Sequence, residues 1–91
     1  MPPLDDDHIR DALAGTDWRL EGAELVRDLR FRDFAEAMAF ANRVAELAEA
    51  ANHHPDLLVH GWNRVRLTLS THTAGAVTGA DVELARAIDA L

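Results

Sequence analysis

Ninety-one residues, 48% of them hydrophobic, with a net charge of −7, bound a single small domain spanning residues 1–91 that can bury about 60–65% of its unfolded surface. The chain has no cysteine and no basic run, which excludes a disulfide framework or thiolate metal site and argues against a nucleic-acid partner. It also has no apolar stretch approaching a membrane span, and its start, Met-Pro-Pro-Leu-Asp-Asp-Asp, lacks a basic leader, so a soluble cytoplasmic protein without a membrane partner is expected.

Asp5, Asp6 and Asp7 precede Ile9, Ala12 and Leu13, a short helical pattern with acids at its positive end that Gly15 stops. His8 falls in the exposed first turn. Trp18 to Glu21, then Gly22-Ala23, then Glu24 to Phe31 reads as a hairpin. Leu25, Leu29 and Phe31 share one parity there, and Arg27 breaks it. Trp18 is expected in the core, because large aromatics dominate burial in small domains.

Asp33 and Glu36 stand at capping-box spacing and open the longest helix, which should run to about Ala51. Phe34, Ala37, Met38, Ala41, Val44, Ala45 and Ala48 recur at helical spacing, with Phe40, Leu47 and Ala51 widening the stripe. So broad an apolar surface predicts a core face plus a contact with another copy. A second hairpin follows: Leu57 to Val59, a turn near His60-Gly61, then Trp62 to Thr71. Val65, Leu67 and Leu69 alternate with Arg64, Arg66, Thr68 and Ser70, a half-buried strand. If the strand continues, His72 lies at its end on the open face. After a loop, Thr78 and Asp81 repeat the capping-box spacing, and Val82, Ala85, Ile88 and Leu91 line a final helix. The expected fold is α+β: a four-stranded antiparallel sheet with three helices packed on one face, in the order α-β-β-α-β-β-α.

Three of the five histidines, His53, His54 and His72, fall at element ends, and only imidazole changes charge near neutral pH without special tuning. Pro55 holds His54 out of helical geometry, so the long helix ends by that point and both rings can edge one cleft. Three readings stand at this stage. His53 can be a helix-end histidine facing the dipole, with His54 and His72 unrelated to it. The three can hold a metal, although the usual helical spacing of ligands is absent. Or they can transfer protons in a metal-free elimination or addition of water. No serine elbow, reactive thiol or glycine-rich phosphate loop points to covalent or nucleotide chemistry.

Glu49-x-x-x-His53-His54-Pro55, Trp62, His72 and Asp81 together resemble the signature of the pterin-4a-carbinolamine dehydratases. Trp18-Arg-Leu-Glu-Gly22, Phe31-Arg-Asp-Phe34 and Ser70-Thr-His-Thr-Ala-Gly75 resemble the same family, so the likeness covers Leu13 to Leu91. One residue more than the usual pattern lies between Pro55 and Trp62, assigned to the turn at His60-Gly61. The resemblance implies dehydration of 4a-hydroxytetrahydropterin to the quinonoid dihydropterin, without metal or bound cofactor. It implies His53 and His72 as the acid–base pair and His54 holding the pterin, with some catalytic overlap. Pro55, Thr71, His72, Thr73 and Ala74 would form the pocket wall, and Asp81 would orient a histidine or cap its helix. It also implies a homo-oligomer, dimer or tetramer. Members that serve as a dimerisation cofactor for a transcription factor make a non-catalytic binding module the alternative.

Overall fold

The computed structural model describes residues 2–91. Asp5 opens the first helix, its carboxylate accepting from His8 N at 2.8 Å, and α1 runs Asp6–Ala12. A tight turn with Gly22 at φ 60° then joins β1 (Arg19–Glu21) to β2 (Glu24–Arg30), a backbone angle that glycine adopts at no steric cost. α2 (Phe34–Ala51), β3 (Asp56–His60), β4 (Arg64–Leu69) and α3 (Gly79–Asp89) complete the order α-β-β-α-β-β-α. The strands form one antiparallel sheet in the order β1-β2-β4-β3, the architecture expected from the hydrophobic patterning.

Register explains which side faces the helices. Leu25 stands opposite Leu69, Leu29 opposite Val65, and Leu57 and Val59 opposite Leu67 and Val65. Leu25, Val65, Leu67 and Leu69 are fully buried and share one cluster with Ile9, Leu13, Trp18, Ala37, Val44, Val82, Ala85 and Ile88. Each large aliphatic side chain so buried contributes about 2 kcal/mol. The α2 stripe divides: Ala37, Ala41, Val44 and Ala48 are inside, while Phe34 and Met38 stay exposed.

Arg27, the parity-breaker, does face the helix side, opposite Leu67. Its guanidinium reaches Asp89 at the end of α3, and the same carboxylate oxygen accepts from Trp18 Nε1 at 2.8 Å. The two capping boxes differ. At α2 the Asp33 carboxylate accepts from Glu36 N at 2.8 Å, but Glu36 Oε1 returns to Arg32 N instead of Asp33 N. At α3 both halves are made, between Thr78 and Asp81.

Candidate active site

α2 stops before Pro55 can stop it. Asn52 turns left-handed, at φ 49° and ψ 41°, a conformation that asparagine tolerates better than most residues. Asn52 N donates to Glu49 O at 3.2 Å and His53 N to Ala48 O at 3.1 Å, so the last turn is closed by the reversing chain itself. The reversal brings the His53 ring to the start of α3, where Nε2 lies 2.5 Å from Asp81 Oδ1. Pro55 acts one step later, keeping the chain extended into β3.

Asp81 is fully buried, a position a carboxylate holds only when its oxygens are well supplied with donors. Oδ2 accepts from Thr71 Oγ1 at 2.8 Å and from Thr78 N at 2.9 Å. Thr71 Oγ1 and Thr78 Oγ1 are in turn 2.7 Å apart. Asp81 also lies in the first turn of α3, where the helix dipole favours negative charge. One side chain therefore caps a helix and holds a histidine. An ionised carboxylate only accepts, so in this pair His53 Nε2 is the donor.

The two adjacent histidines part company. His53 is 17% exposed against buried Asp81, whereas His54 is 56% exposed and its Nε2 meets Glu49 Oε2 at 2.8 Å on the surface. His72 does not sit on a strand: β4 ends at Leu69. A bridge between Thr71 and Ala76 instead closes a short turn, with Gly75 N donating to Thr71 O at 2.9 Å and to His72 O at 3.2 Å. His72 and Thr73 are exposed there, and Ala74 and Pro55 are half-buried. Thr71 thus joins the turn carrying His72 directly to Asp81 and, through it, to His53.

Beside His53 a largely apolar cleft of about 440 Å³ opens between α2 and α3, walled by Leu47, Ala51, Ala80, Leu84 and Ala87 among others, with Glu83 as its acidic member. His54, Pro55 and residues 71–74 lie outside its walls. Among the described residues, no three His, Asp or Glu side chains converge as a metal-ligand set. Two members of the assembly fell outside the expected site. Thr78 is announced only by its capping-box spacing, and Glu49 only as the first residue of the signature Glu49-x-x-x-His53-His54-Pro55, with no role assigned.

Comparison with known proteins gives a consistent picture. The family model described as pterin 4 alpha carbinolamine dehydratase matches residues 2–91. A Chloroflexus aurantiacus relative is 51% identical over 90 residues, covering 98% of this chain and 96% of its own. One from Metallosphaera sedula is 44% identical over 92 residues, covering 100% and 95%. Both carry the name pterin-4-alpha-carbinolamine dehydratase, provisionally assigned. The crystal structure of a transcriptional coactivator/pterin dehydratase from Brucella melitensis superposes with a TM-score of 0.88 at 33% identity, over 97% of this chain and 96% of that one. A pterin dehydratase-like RuBisCO assembly factor of the alpha-carboxysome superposes at 0.69 and 28% identity, covering 84% and 89%.

Proposed function

From the premise that the chain belongs to the pterin 4 alpha carbinolamine dehydratase family, a family of hydro-lyases, we propose that it dehydrates 4a-hydroxytetrahydropterin by histidine acid–base catalysis. The observation that carries the reading is the buried Asp81 carboxylate bonded to His53 Nε2. The reaction breaks the C4a–O bond, takes the N5 proton and forms the C4a=N5 double bond, with water as the other product. His53 Nδ1 takes the N5 proton, and the imidazolium that forms is stabilised by Asp81. His72 gives its proton to the departing hydroxyl. His54, Pro55, Thr71, Thr73 and Ala74 hold the pterin, His54 with some share in the proton transfer; the exposure of His54, His72 and Thr73 supports their access to it. No redox change occurs, and the two proton transfers balance.

The decisive measurement follows the decay of 4a-hydroxytetrahydropterin generated by a phenylalanine hydroxylase. Wild-type protein accelerates it, and His53→Ala lowers kcat by roughly 10²–10⁴-fold; equal rates for the two would remove His53 from the mechanism. The alternative, a non-catalytic module acting as a dimerisation cofactor, draws on the coactivator and assembly-factor titles of the two structural neighbours. The α3 cap needs Asp81 in either case, but a binding surface has no use for an imidazole held inward against it, which favours the catalytic reading. We also propose a cytoplasmic homo-oligomer, supported by exposed Phe34 and Met38 on α2 and exposed Leu57 and Leu58 on the edge strand β3.

A further inference from the structure

β3 starts just after the His53 site and ends, about 13 Å further along, in a second cluster. Arg64 of β4 stands directly opposite Arg30 of β2 and directly opposite His60 of β3. Alternation along the strands puts all three on the face away from the helices, because Val65, next to Arg64, is in the core. Like charges directly opposed across a sheet are unfavourable. Among the described residues no acid relieves them. Asp28, which lines the same cleft as His60 and Arg64, is occupied by Arg66 through bonds of 2.8 and 3.1 Å and by Arg19 at 2.8 Å.

The backbone beside the row is tied down. Asn63, itself buried, donates Nδ2 to Phe31 O at 2.9 Å, and Phe31 N donates to Asn63 O at 2.8 Å. These two bonds lock the end of β2 to the β3–β4 turn. Gly61, at φ 54°, leaves room for the Arg64 guanidinium: a Cβ there would fall 2.5 Å from Nη2 and 2.7 Å from Nε. His60, Arg64 and Arg66 line a cleft of about 280 Å³ with Asp28 and Leu29, and Arg30 joins the row by its register opposite Arg64. In a chain of net charge −7, so local a concentration of positive charge selects a small anion rather than a polyanion.

We propose that this end of the open sheet face binds a phosphate group, free or on a small phosphomonoester, between Arg30 and Arg64 with His60 as a third donor. Guanidinium forks on neighbouring strands suit the several acceptor oxygens of phosphate. A bound dianion would also turn the repulsion within the row into attraction.

The test titrates inorganic phosphate, and separately glycerol 3-phosphate, into the full chain at fixed ionic strength, following backbone amide signals by NMR. Saturable shifts confined to residues 28–31 and 60–66 are expected. Arg64→Ser and Arg30→Ser should each weaken the midpoint about tenfold or more, while Arg43→Ser on α2 leaves it unchanged. A tighter midpoint for glycerol 3-phosphate identifies a phosphomonoester ligand; equal midpoints identify free phosphate. Shifts that never saturate, or that persist equally in Arg64→Ser, overturn the site. Because the Arg64 variant relieves like-charge opposition, its melting temperature without phosphate should not fall below wild type. A marked fall would make Arg64 a structural side chain and count against the proposal.

Discussion

Thr71 is the side chain through which the histidine turn and the buried carboxylate communicate. Its hydroxyl donates to Asp81 Oδ2, so replacing it with an isosteric methyl leaves that oxygen with Thr78 N as its remaining donor. Thr71→Val should therefore lose about 1–2 kcal/mol of stability, read as a lower urea midpoint at unchanged m-value. An unaltered midpoint would mean that the hydroxyl contributes nothing to holding Asp81. At this scale the sequence exposed the chemistry of the site better than its contacts. His53, His54 and His72 stood out by type and place, and Asp81 by its capping-box spacing. That His53 turns inward and His54 outward depends on the left-handed Asn52, which no periodicity signals. Arg27 looked like an interruption for the same reason: its partner, Asp89, is 62 positions away.

The elements around the site are ended by local devices, and these decide where the side chains go. Asn52 reverses α2 at φ 49°, and a β-branched residue there would be strained by about 1–3 kcal/mol. Asn52→Gly should keep both fold and turnover, while Asn52→Val should lower the melting temperature and reduce turnover together. Turnover retained in Asn52→Val would show that the helix end does not aim His53. The strongly alternating β4 and the long amphipathic α2 were readable because burial on one face imposes period 2 or 3.6. The end of β4 was not. Ser70, Thr71 and His72 are all polar and carry no breaker to mark the strand's end, and the Thr71–Ala76 bridge, a pairing of the loop with itself, takes His72 off the strand.

Across the molecule, charge is arranged more tightly than the composition suggests. Asp28 on β2 takes hydrogen bonds from Arg66 on β4 and Arg19 on β1, and these pull its pKa from 3.8 down to about 2. A depressed folded value means that the stabilisation is present above pH 3.8 and disappears as the pH falls towards 2. Because the carboxylate is 42% exposed, solvent screening limits the gain to about 0.5 kcal/mol. Asp28→Asn should be less stable than wild type by that amount at pH 6, and the two urea midpoints should converge as the pH falls from 4 to 2. A constant gap would exclude ionisation as its source. For the oligomer, placing lysine at both Leu57 and Leu58 should protect the β3 edge and lower the mass measured by light scattering; a wild type already monomeric at micromolar concentration would refute self-association. One carboxylate links these scales. Asp81 closes the first turn of α3 and fixes His53, so on the proposed mechanism disorder at that helix start should abolish turnover as well. On the same proposal a descendant abandoning catalysis can discard His53 and His72, whereas Asp81 should outlast them, because the helix still needs its cap.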